Sequence, residues 1–214
     1  MKLFKNIKKW LENQEHLFYL FLLILIVPNV ILCFTEPMPV VAKVCNVLLP
    51  FAFYYLLMTL SRNCGKMFWI LFLFIFFGAF QIVLLYLFGQ SIIAVDMFLN
   101  LVTTNSSEAM ELLDNLVPAL VSVIILYIPA LILAAISIIK KRKLSPEFIR
   151  RERKKAWIAL FIGFISLGAA YGLDKRYELK SDLYPANVCY NVALAFQRNA
   201  QTRTYHRTSE NFTF

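Results

Sequence analysis

The chain has 214 residues, of which 60% are apolar and 15% aromatic, 20 of them phenylalanine, and its mean hydropathy is +0.65. Soluble domains hold roughly 45–50% apolar residues, so this composition excludes an ordinary water-soluble globule. The 22 Lys and Arg against 13 Asp and Glu leave +9, a balance that suits nucleic acid or an anionic membrane until the positions of the charges are known.

Lys2, Lys5, Lys8 and Lys9 precede the first apolar run, Leu17–Phe34. A basic start before an apolar stretch is also the plan of a signal peptide. This run is long for one and more spans follow, so it is expected to stay as an anchor. Further runs lie at Val44–Leu60, Met67–Phe88, Leu116–Ile139 and Ala156–Gly172, each near the length of about 20 residues that crosses a bilayer core. None alternates as barrel strands do. The expected fold is an all-α membrane protein with five transmembrane helices, residues 1–172 forming the membrane domain and 173–214 a periplasmic linker.

Charge sets the expected orientation. The turn Ser61–Lys66 carries Arg62 and Lys66, and Lys140–Lys155 carries nine basic residues; Thr35–Lys43 has only Lys43, and Gly89–Asn115 has neither Lys nor Arg. The positive-inside rule then puts the N-terminus in the cytoplasm and the C-terminus, after an odd number of spans, in the periplasm. On this reading the +9 reports orientation and contact with lipid headgroups, not a nucleic-acid partner.

Pro28, Pro50, Pro118 and Pro129 fall within spans, where they kink or start helices whose freed carbonyls neighbours can satisfy. Gly168 and Gly172 have the spacing for close helix contact and are expected to pack within the chain. No ionisable residue lies deep in a span, which argues against an ion-coupled transporter. The histidines, His16 and His206, and the cysteines, Cys33, Cys45, Cys64 and Cys189, form no metal-ligand spacing and nominate no nucleophile with its base. The cysteines read as unpaired, with a bridge among Cys33, Cys45 and Cys189 the lesser alternative.

The stretch Gln90–Asp114 is too polar to span and too apolar for a free loop. Ser91 can cap a helix on which Asp96, Asn100 and Thr104 recur every fourth residue, a polar stripe on an apolar surface helix. Asn105-Ser-Ser-Glu108 has the form of a capping box, so a second helix is expected to start there and enter the fourth span. Two readings of this polarity stay open. Capping by Asn105 and Glu108 with Glu111 in the first turn accounts for it structurally. Alternatively Asp96, Glu108, Glu111 and Asp114, without a basic neighbour, attract a lipid ammonium while Asn and Thr hold phosphate or glycerol oxygens.

Asn100-x-x-x-Thr104-x-x-x-Glu108, on the external segment between the third and fourth of five spans, resembles the membrane domain of the lipid A phosphoethanolamine transferases, which include the mobile colistin-resistance enzymes. The tail Asp182-Leu-Tyr-Pro-Ala-Asn-Val-Cys-Tyr-Asn191 is similar to that family's connection towards its catalytic domain. The resemblance implies an enzyme of the bacterial inner membrane that moves phosphoethanolamine from phosphatidylethanolamine to lipid A or the lipopolysaccharide core, with Asn100, Thr104 and Glu108 at the lipid-substrate site. It also implies a periplasmic domain of the alkaline-phosphatase and sulfatase superfamily, with a threonine nucleophile and zinc. The Gly-Glu-Thr nucleophile motif and the zinc ligands do not occur in these 214 residues, so no catalytic residue and no metal ligand is assigned, and this stretch alone is expected to be inactive. The alternative expectation is a non-enzymatic lipid-binding or assembly subunit.

Overall fold

A computed structural model describes residues 10–88 and 106–210, and every regular element in them is helical. They are α1 (Gln14–Thr35), α2 (Val40–Met58), α3 (Cys64–Ile70), α4 (Phe72–Phe88), α5 (Ser106–Ile139), α6 (Pro146–Leu173), α7 (Leu179–Asp182) and α8 (Ala186–Glu210). Side-chain caps mark several starts: Asn13 accepts from Glu15 N at 2.9 Å, Asn63 from Lys66 N at 2.8 Å, and Ser145 from Phe148 N at 3.1 Å with Pro146 following it. Each cap satisfies an amide that the first turn leaves without a partner.

Four helices are long and apolar enough to cross a membrane: α1, α2, α6 and the Val117–Ile139 part of α5. The third apolar run departs from the expected continuous span. It starts at Cys64, breaks at Leu71, and its two parts are bent by 62°, so α3 and α4 make a fifth span only if taken together. Neither proline nor glycine stands at the break. α3 packs closely on α5: a Cβ at Gly65 would meet Ala134 O at 2.3 Å.

α1 is the central helix, with 56% of its apolar window buried, against 22% for α5 and 17% for α6. It touches α2, α3, α4 and α5. Phe21 stacks on Phe68 of α3 at 4.4 Å, and Phe18 meets Phe148 of α6 edge-on at 5.4 Å. α6 runs along α2, and Gly163 lets it approach so closely that a Cβ would lie 3.2 Å from Leu49 Cα. In lipid such contacts are stabilised by dispersion and shape rather than by removal of surface from water. Gly168 and Gly172, expected to pack within the chain, meet no neighbour among the described residues. The helix-to-helix approach on α6 falls at Gly163 because that is the glycine facing α2.

At the basic end the turns are tied together. Leu144 N donates to Arg62 O at 2.7 Å, and Asn63 Nδ2 donates to Arg142 O at 2.9 Å and Ser137 O at 3.2 Å. Glu152 lies four residues before the apolar run of α6 and is fully buried. It accepts hydrogen bonds from Tyr55 OH, from Arg151 Nε at 2.8 Å and from Lys155 Nζ at 3.0 Å. Burial raises its pKa, but the bonds from Tyr55, Arg151, Tyr19 and Lys155 outweigh that and hold the carboxyl down at about 2.

α5 begins at Ser106 and continues through Pro118 and Pro129 to Ile139, in keeping with a second helix running into the fourth span. The proposed surface helix from Ile92 and residues Asn100 and Thr104 lie outside the described residues. Beyond Leu173 the chain stays on the bundle: Tyr177, Leu183, Tyr184 and Val188 are all buried. All four cysteines are free thiols.

Candidate functional site

The end of the bundle away from the basic turns gathers polar side chains that the apolar runs conceal. Asn29 of α1 and Asn46 of α2 are both buried, in segments where an amide without partners is costly. Asn29 Nδ2 donates to Asn46 O at 2.9 Å and to Tyr184 O at 2.7 Å. Asn46 Nδ2 donates to Asp182 O at 2.6 Å, while its Oδ1 accepts from Tyr177 OH at 2.9 Å. Tyr184 OH in turn donates to Phe74 O at 3.1 Å. Two span asparagines therefore bind the backbone of the segment 182–184 and seat the tail on the bundle.

The same seat leaves hydrogen-bonding capacity unused. Among the described residues, Asn187 Nδ2 and Oδ1, Asn29 Oδ1 and Tyr127 OH are buried and meet no protein partner. Asn187, fully buried, is one helical turn beyond Tyr184. The Tyr127 and Tyr184 hydroxyls converge on Gly78, where a Cβ would sit 3.0 Å and 3.2 Å from them. An amide offers two donors and an acceptor, and a phenol one of each kind.

An apolar slot of about 330 Å³ runs beside the seat, between Leu49, Pro50 and Phe53 of α2, Phe74 of α4, Leu160 and Phe164 of α6, and Leu183, Pro185, Ala186 and Cys189 of the tail. Leu183 joins the two halves: its neighbours Asp182 and Tyr184 receive the asparagine hydrogen bonds, and its own side chain faces the slot. A second cavity of about 490 Å³ at this end is lined by Pro37, Met38, Pro39, Ala42, Tyr177, Asp174, Asp182 and Arg176, so it presents both signs of charge. Asp174 Oδ1 accepts from Arg176 N at 3.0 Å and Asp182 Oδ2 from Glu178 N at 2.7 Å, which leaves each carboxylate one further oxygen.

Of the residues nominated by sequence, Asn100 and Thr104 lie outside the described residues, and Glu108 is placed only by its backbone in the first turn of α5. The segment that carries them leaves α4 just beyond Leu85, which packs with Tyr184 and Val188. The C-terminal part of α4 thus lies at the end that holds the polar seat. Sequence reasoning missed Asn29, Asn46, Tyr127 and Asn187. A lone amide in an apolar run, as in Val27-Pro-Asn-Val30, was the available signal. Among the described residues no three His, Cys, Asp or Glu side chains converge as metal ligands.

No protein-family model, curated protein or solved structure matches this chain.

Proposed function

We propose that this chain is the membrane domain of a phosphoethanolamine transferase of the bacterial inner membrane, taking phosphoethanolamine from phosphatidylethanolamine for transfer to lipid A or the lipopolysaccharide core. In this reading the basic turns are cytoplasmic, the tail and the segment 89–105 are periplasmic, and the threonine nucleophile and zinc lie outside these 214 residues. The observation that supports it is one adjacency: an apolar slot, a polar seat with unused amide and hydroxyl groups, and a cavity bearing Asp174, Asp182 and Arg176 all share the segment 177–187 or its contacts.

Phosphatidylethanolamine divides along the same lines. The slot takes an acyl chain, Arg176 attracts the phosphate, and the free carboxylate oxygens of Asp174 and Asp182 attract the ammonium. In this reading Asn100, Thr104 and Glu108 hold the headgroup towards the nucleophile. A transferase gains from such positioning because a headgroup fixed in reach of a nucleophile reacts without the entropy loss of encounter.

The test is expression with the in-frame continuation of the coding sequence in a Gram-negative host without phosphoethanolamine on its lipid A. Mass spectrometry is expected to show the modified lipid A, and Asn100→Ala or Glu108→Ala to reduce it at unchanged membrane abundance. Unmodified lipid A from the intact protein would overturn the transferase reading. The slot and seat by themselves suit lipid binding, so a stop codon directly after Phe214 would favour a non-enzymatic lipid-binding subunit.

A further inference from the structure

At the opposite, basic end a separate cavity of about 400 Å³ opens between the α2–α3 turn and the first turns of α6. Arg62, Arg150, Arg153 and Lys154 line it together with Ile149 and Trp157, and among the described residues no acidic side chain does. Two of these cations are held in place. Arg62 Nε donates to Leu144 O at 3.0 Å, and Arg153 Nη2 donates to Thr59 O at 2.6 Å. Each guanidinium keeps further N–H groups for a ligand, and a fixed planar fork suits phosphate oxygens. The nearest buried acid, Glu152, faces Tyr55 and is matched by Arg151 and Lys155, so it does not offset the charge of the cavity.

The position of the cavity selects its ligand. It sits where the charged part of α6 gives way to the apolar run at Ala156. Trp157, at its edge, is half-exposed, and Phe161 and Ile165 continue outward along α6 at one-turn intervals, exposed to lipid. Tryptophan at such a boundary marks the headgroup level of a bilayer. A soluble phosphate would use the cations and leave this apolar track unused.

We propose that this cavity binds the phosphate of an anionic phospholipid of the phosphatidylglycerol class, in the leaflet on the basic side, with an acyl chain laid along Trp157, Phe161 and Ile165. Cationic pockets between spans are suited to anionic headgroups on electrostatic grounds. The site is distinct from the seat at the other end in both position and charge. It holds whether or not the chain is part of a transferase.

The full 214-residue chain, purified in a neutral detergent, is titrated with dioleoyl phosphatidylglycerol and with dioleoyl phosphatidylcholine, and retained lipid is counted by native mass spectrometry. Arg150 and Lys154 are exposed and make no side-chain hydrogen bond among the described residues, so Arg150→Gln/Lys154→Gln should fold normally. That variant is expected to lose about tenfold or more in phosphatidylglycerol affinity without changing retention of phosphatidylcholine. Lys140→Gln/Lys143→Gln removes the same charge outside the cavity and should stay within about twofold of the original chain. If the double variant fails to fold, Lys154→Glu alone is expected to lower the affinity as well. Equal losses in the two charge-matched variants would reduce the effect to general surface charge and overturn the proposal. Displacement of the lipid by millimolar inorganic phosphate would overturn it in favour of a soluble phosphate ligand.

Discussion

Asn29 donates through one amide nitrogen to the carbonyl of Tyr184 at 2.7 Å, although 155 residues separate them. The bond joins the central helix to the tail inside an apolar surround, and the same nitrogen also reaches Asn46 O. Leucine at position 29 has the same branching but leaves Tyr184 O and Asn46 O without this donor. Asn29→Leu is expected to lower stability by about 1–3 kcal/mol and to expose the segment 174–183 to protease. Thermal unfolding in detergent and timed proteolysis with mapping of the cut sites measure both. Unchanged cleavage would show that packing of Tyr184 and Val188 alone holds the tail.

Two glycine substitutions separate close approach from open surface. Gly65→Ala would push a methyl into the backbone of Ala134, which cannot move aside as a flexible side chain does. A loss of about 1–3 kcal/mol is expected, together with displacement of α3. Gly168→Ala meets open space and should be neutral or gain up to about 1 kcal/mol from helix propensity. Parallel unfolding curves of the two variants check the difference; equal losses would contradict the packing described at Gly65.

The helices were legible wherever an apolar run was long enough to demand backbone pairing within itself, which is why Leu17–Phe34 falls inside α1 and Val44–Leu60 overlaps α2 up to its end at Met58. The break at Leu71 was not, because neither proline nor glycine marks it in the sequence. Gly168 and Gly172 show the converse, a spacing that permits contact without a partner to make it. The docked tail was hidden for a similar reason. Asn29 and Asn46 look like isolated exceptions in apolar runs until Asp182 and Tyr184 supply the carbonyls they bind. Glu152 reads as one acid among many bases, and only the fold shows it buried beneath Tyr55.

The orientation can be read with fusions at the two ends of the basic distribution. A reporter that is active only in the periplasm, fused after Phe214, is expected to be active, and one fused at Ser145 inactive. The expectation rests on Arg62, Lys66 and the nine basic residues of Lys140–Lys155 lying on one side. The bent pair α3–α4 is the critical element. If it turned back instead of crossing, four spans would remain and, with the N-terminus still inside, the two reporters would exchange activities, because α6 separates Ser145 from Phe214 in either case.

Glu152 gives the stability of the bundle a defined dependence on pH. Its folded carboxyl titrates at about 2, whereas an unfolded glutamate titrates near its usual value of about 4.3. The folded state therefore favours the ionised form, and this contribution is fully present above the unfolded value. It declines as pH falls through about 4 and is lost below about 2. Arg151 and Lys155 are 59% and 54% exposed, so solvent screens their share and the Tyr55 bond within the bundle carries more of it. Glu152→Gln keeps the shape and an acceptor for Tyr55 but removes the charge, and is expected to lower stability at pH 7 by about 1–2 kcal/mol. The gap between the two proteins should narrow by about half as pH is lowered from 5 to 3, measured by unfolding in detergent at a series of pH values. A gap that stays constant over that range would mean that Glu152 acts through packing and not through its charge.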